Sequence, residues 1–126
     1  MSEGRHRAFV VACEDCAVDR RTDEPNEAVA FLRRHRRVTG HEPTFADGGV
    51  PAGWLPDAAD DLPDDAGVKE VLRALEPSFE GGVPVGVLAA VMHGRGLSIA
   101  DTLDRVREVR MTGGIYEPRD DHLHTF

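Results

Sequence analysis

A chain of 126 residues and 13.8 kDa has room for one ordinary domain or two very small ones, and it carries a net charge of −8 with a pI near 5.1. It contains no run of 18 apolar residues and no apolar stretch following a basic start in its first 20 residues, which reads for a soluble cytoplasmic protein and against a membrane span or secretory signal. Two cysteines three positions apart cannot tie distant segments together, which excludes a disulfide framework.

Taken in chain order, Arg7 to Cys13 is a β-prone run, and Ala17 to Thr22 returns as a second strand after Cys13-Glu14-Asp15-Cys16. Thr22 and Asp23 open a helix of about 24–38, with Pro25 in its first turn, Ala28, Phe31, Leu32 and His35 on one face, and Gly40 at its end. Residues 46–65 are dense in Gly, Pro and Asp and form an acidic linker, in which Trp54 and Leu55 tuck onto a neighbouring domain. Beyond it, Asp65 caps a helix that buries Val68, Val71, Leu72, Leu75 and Phe79 and stops at Gly81-Gly82. A second helix runs over about 84–93. A third starts at Ser98, with Asp101 placed as in a capping box, and turns Ile99, Leu103 and Val106 inward. Ile115 to Pro118 and His122 to Phe126 close the chain as a hairpin. The expected class is α+β: a ββα unit over residues 1–45, a linker over 46–65 and a winged-helix domain over 66–126.

Cys13 and Cys16 have the spacing that lets two thiolates from one turn reach a single ion, and His35 and His41 follow as H-x5-H. Four such ligands suit tetrahedral zinc and leave no position for an activated water, so the role expected of Zn2+ is structural. The helical period points His35 toward the hairpin, and His41 can turn back past Gly40. The plan resembles that of ββα Cys2His2 zinc fingers, with a longer gap between Cys16 and His35 and with the second histidine beyond the helix. A core role for the two thiols or a redox role for the Cys-x-x-Cys pair is the competing interpretation. The redox role wants a βαβ context that the flanking residues do not offer.

The acidity is local. Residues 1–41 sum to +1, residues 42–82 to −8 and residues 83–126 to −1, while Arg33, Arg34, Arg36 and Arg37 fall outside the apolar face of the first helix and project into solvent. These four are candidate nucleic-acid contacts, along with Arg105, Arg107, Arg119 and His122 in the C-terminal half. The third helix is a doubtful reader of the major groove, because Asp101, Asp104 and Glu108 share its outer face with Arg105. Arg110 lies on the buried side, near the last carbonyls. No nucleophile, base and orienter occur at a motif spacing, and His6, His93, His122, His124 and the Asp60-Asp61 and Asp64-Asp65 pairs suggest no catalytic residue and no enzyme.

Lysine is confined to Lys69 among 15 basic residues, a composition similar to that of proteins from extremely halophilic archaea. Residues 66–126, most clearly Gly114-Ile115-Tyr116-Glu117-Pro118-Arg119 and His122-Leu123, resemble the terminal winged helix of archaeal minichromosome maintenance (MCM) helicases. The resemblance implies contacts with DNA or with replication and initiation proteins, without helicase activity, since no phosphate loop is present. The leading expectation is a DNA-binding accessory or regulatory protein of replication or transcription. The alternative is an adaptor of the replication machinery that binds protein and touches no DNA. A homodimer is open under either.

Overall fold

The computed structural model describes residues 8–46, 49–51 and 60–126. Strands β1 (Phe9–Cys13) and β2 (Val18–Thr22) pair antiparallel, from Phe9 opposite Thr22 to Cys13 opposite Val18. Alternation in β1 buries Phe9, Val11 and Cys13, whereas β2 is exposed along most of its length, so one strand carries the sheet's contribution to the core. Helix α1 (Pro25–Thr39) follows. The Thr22 hydroxyl accepts from the Glu24 N–H at 3.0 Å just before it, and Pro25 occupies the first turn, where a missing N–H costs no bond. Gly40, at φ 80°, ends the helix by donating its N–H to the Arg36 carbonyl at 2.8 Å. A two-residue strand, β3 (Thr44–Phe45), pairs with the other edge of β1 and gives the order β2-β1-β3.

In the C-terminal half, α2 (Val68–Leu75) buries Val68, Val71, Leu72 and Leu75. Asp65 does not cap it: Gly67 stands at the cap, and the Glu70 carboxylate accepts the Gly67 N–H at 2.8 Å. Nor does α2 continue to Phe79. It ends at Leu75 and passes into a 3-10 turn over Glu76–Ser78, because Pro77 has no N–H with which to extend the α pattern. Glu76 is used instead as an anchor, accepting from both the N–H and the hydroxyl of Thr125 at 2.6 Å. Then come β4 (Val83–Pro84), α3 (Val85–Gly94) and α4 (Ile99–Met111), the last capped by the Ser98 hydroxyl, which accepts from the Asp101 N–H at 3.1 Å. Strands β5 (Ile115–Arg119) and β6 (His122–Thr125) make the terminal hairpin, and β4 pairs with β6 to give the order β4-β6-β5. The protein is thus a mixed α+β structure with four helices and two small antiparallel sheets among the described residues. Neither two-residue strand was expected, since two residues display no alternation.

The halves pack together. Helix α1 is wedged between its own sheet and α3, and the buried side chains form a continuous cluster from Phe9, Val11 and Leu32 to Leu72, Leu88 and Leu123. Gly86 makes the close approach possible, because a Cβ there would stand 2.1 Å from the carbonyl carbon and oxygen of Pro25. Asn26 fills the seam with hydrogen bonds, accepting from Gly86 N–H at 2.7 Å and donating to the Asp121 carbonyl at 3.2 Å. Of the expected linker, residues 47–48 and 52–59, with Trp54 and Leu55, lie outside the described residues, as does His6.

Candidate metal centre and arginine-lined groove

Four local features converge on one point. Strand β1 delivers Cys13 at its buried end, and the following turn, closed by Ala17 at φ 54°, folds Cys16 back beside it. The inner face of α1 delivers His35, against which Phe31 stacks with ring centroids 5.4 Å apart. The reversal at Gly40 then brings His41 round. Thr39 pins that reversal, its hydroxyl donating to the His35 carbonyl at 2.7 Å and accepting from the His41 N–H at 3.1 Å. His41 Nδ1 ends 3.1 Å from Cys16 Sγ and 3.6 Å from Cys13 Sγ.

The ligand atoms of Cys13, Cys16, His35 and His41 all lie within 4.8 Å of one another, and both cysteines are free thiols. A tetrahedral shell with bonds of about 2.0–2.3 Å separates its ligand atoms by about 3.3–3.8 Å, so the cluster is close to the size of a closed coordination sphere. Two further observations fit an ion. His35 Nε2 is buried with no hydrogen-bond partner, a costly state that a metal bond would relieve. Desolvation, reinforced by the neighbouring Cys13 sulfur and the Asp15 carboxylate, holds the Cys16 thiol above its ordinary pKa, and a cation reverses that balance by stabilising the thiolate. The four residues could therefore hold a metal ion.

The arginines sort differently from the expectation. Arg33 and Arg36 do not simply project into solvent. With Arg107 and Arg110 of α4 they rim a groove of about 560 Å³ whose floor is Val85, Leu103, Val106 and Leu123. The physical reason is that α1 has a second packed side: the apolar face meets the sheet, and the flank carrying Arg33 and Arg36 meets the C-terminal half. Arg33 donates to Asp121 Oδ1 at 2.8 Å, while Arg36 lies 3.8 Å from Glu42. Arg110 is exposed rather than buried, and it donates to Glu117 Oε1 at 2.9 Å, since the carboxylate on β5 is a stronger acceptor than a helix-end carbonyl.

Arg34, Arg37, Arg105 and Arg119 are exposed and do not line this groove. Arg119 lies over Gly81, and His122 has its Nδ1 2.7 Å from the Asp120 carbonyl. Three of the eight candidate nucleic-acid residues thus come together, namely Arg33, Arg36 and Arg107. Sequence reasoning missed Asn26, Arg110, Glu117 and Asp121. For Arg110 a signal existed in its i+3 spacing from Arg107, but nothing local marks Asn26 or Asp121 as partners across the chain.

Among the described residues, no helix is long and apolar enough to cross a membrane. No curated protein and no solved structure matches the chain. Residues 10–45, which include all four members of the metal cluster, match a family model described as HVO_B0008 N-terminal, and residues 73–123 match one described as HVO_B0008 C-terminal domain. The chain therefore carries, in order, the N-terminal and C-terminal domains of the HVO_B0008 family.

Proposed function

We propose that the protein is a non-enzymatic adaptor of the cytoplasm, stabilised by a structural zinc ion, that binds a protein partner through a winged helix in its C-terminal half. The observation that carries this reading is the groove. Three of the arginines that were candidates for phosphate contact face one another across a concavity with an aliphatic floor, and two of them, Arg33 and Arg36, are already paired with carboxylates, Asp121 and Glu42. Duplex DNA is read by a helix that can enter its major groove. Here α1 stands beside α4, and α4 exposes Asp101, Asp104 and Glu108.

The order helix, strand, two helices and hairpin from α2 to β6, with β4 joining the hairpin, supports the winged-helix assignment. The resemblance of residues 66–126 to MCM winged helices makes replication proteins the first partners to try. Two thiolates and two imidazoles favour zinc over harder cations. With zinc bound, four protein ligands would fill the coordination sphere, and the ion would supply folding energy rather than reactivity.

A DNA-binding accessory role is the second reading. It is favoured by Arg34, Arg37, Arg105 and Arg119, which are exposed and have no ion-pair partner among the described residues. Fluorescence anisotropy of labelled duplex at several salt concentrations decides between the two. The adaptor reading expects no saturable binding at the lowest salt in which the protein stays folded. Saturable binding that weakens steeply with salt, and on replacing Arg33, Arg34, Arg36 and Arg37, establishes DNA binding instead. For the ion, native mass spectrometry of protein purified without added metal should show one zinc per chain, and an ordered protein with the mass of the bare polypeptide overturns the assignment.

A further inference from the structure

A sheet edge that offers its N–H and C=O groups to solvent is a template for another strand, and folds blunt such edges with short strands, prolines or bulges. Three of the four sheet edges among the described residues are blunted in this way. Strands β3 and β4 have two residues each, and β5 carries Pro118 and an irregular register between Tyr116 and Arg119. The fourth, β2, is five residues long, pairs regularly with β1, contains no proline and is exposed at Val18, Asp19, Arg20 and Arg21.

The hydrogen bonds of β1 determine which groups of β2 are free. Val10 turns its N–H and carbonyl away from β2, to the Gly49 carbonyl at 2.8 Å and the Ala46 N–H at 2.9 Å. By the alternation of an antiparallel ladder, Val10 and Ala12 serve the β3 side, and Phe9, Val11 and Cys13 exchange bonds with Thr22, Arg20 and Val18. The N–H and carbonyl of Asp19 and of Arg21 are left pointing out from the sheet edge. Their side chains share one face, beside Ala12 and Val10, are exposed, and make no ion pair among the described residues.

We infer that β2 pairs antiparallel with β2 of a second copy of this chain, about a two-fold axis through Arg20, so that two three-stranded sheets join edge to edge. In that register Asp19 of each copy lies opposite Arg21 of the other. Both free ladder positions then close through the backbone, and each carries an opposite-charge pair. A slip of two residues loses this, because a centre on Asp19 opposes two carboxylates and a centre on Arg21 opposes two guanidiniums. Arg20 meets its own copy on the other face of the sheet, the one that packs on α1, where Glu27 lies 3.6 Å from its guanidinium and offsets the like charge. The contact is separate from the groove, so its failure leaves the proposed function untouched.

The test uses the full chain as purified, at an ionic strength of about 0.15 M, where screening beyond about 8 Å damps the repulsion between two chains of net −8 but spares contacts between neighbouring strands. Sedimentation equilibrium should show a reversible dimer at a chain concentration of about 0.1 mM, as suits a small, transient interface. Arg21→Asp and Asp19→Arg each set like charges face to face, and each should weaken association about tenfold or more with circular dichroism unchanged. Mixed in equal amounts, the two variants are complementary, and the mixture should recover the dimer. Amide exchange should slow at Asp19 and Arg21 as concentration rises, while Val18, Arg20 and Thr22, already bonded to β1, keep the protection they have. A single-chain mass up to about 1 mM overturns the inference. A dimer that neither reversal weakens overturns it too, as does a mixture no more associated than its components. A dimer whose Asp19 and Arg21 amides exchange independently of concentration places the contact on another surface and likewise overturns it.

Discussion

In the N-terminal half the buried apolar side chains come from β1, one face of α1 and Phe45 of the short β3, and β2 contributes almost nothing. In the C-terminal half α3 is buried over eight consecutive residues, from Val85 to Met92, with α2, α4 and the hairpin packed round it. A helix apolar on every side belongs at the centre of a fold, and an exposed strand needs another source of order. An ion held by the Cys13, Cys16, His35 and His41 cluster would supply that source, joining the turn after β1, the inner face of α1 and the reversal at Gly40. With an ion bound, one small chain would combine ligand-derived and burial-derived stability, coupled through the seam at Gly86 and Asn26.

Removing the metal should separate the two regions most sharply. Structural zinc in comparable modules contributes binding free energy of about 10–16 kcal/mol. On chelation, hydrogen exchange should show protection lost over β1, β2 and α1 but retained in α3. Equal retention in both regions would mean that burial alone holds the N-terminal half. Leu88→Ala, at the centre of α3, should cost about 2–5 kcal/mol in denaturant melts and lower the stability of both halves, since the core is continuous. Gly86→Ala forces a Cβ against the backbone of Pro25 and should cost about 1–3 kcal/mol. Its distinguishing mark is exchange protection that falls at the start of α1 more than in α2.

Asn26→Ala leaves the Gly86 N–H without its acceptor, for about 1–3 kcal/mol, and Asn26→Asp should recover part of that because an acceptor remains. Arg33→Ala should be the mildest, about 0–1 kcal/mol by thermal melting, because the pair with Asp121 is substantially exposed. A larger loss would mean that the ion pair, rather than Gly86 and Asn26, holds the halves together.

Local patterns made most elements legible. Pro25 and Gly40 bracket α1, the Ser98 cap begins α4, and the terminal hairpin follows its alternation. The metal cluster was legible too, because the C-x2-C spacing and the placing of His35 on the apolar face of α1 are both properties of short stretches of chain. The extent of α2 was not, since a hydrophobic period that reaches Phe79 masks the break at Pro77. Thr102, fully buried in α4 beside the expected Ile99 and Val106, is another residue whose burial no polarity scale suggests.

Sequence by itself determined which residues could form helices, strands and the ligand set, because caps, periods and ligand spacings act within a few turns of the chain. Tertiary structure decided what the arginines face. Arg33 and Arg36 occupy positions that a lone amphipathic helix would give to water, and only the docking of α1 against α3 and α4 turns them toward Arg107, Arg110 and Asp121. That docking depends on the absence of a side chain at Gly86, some sixty residues from the contact it permits, and such a relation has no periodicity to read.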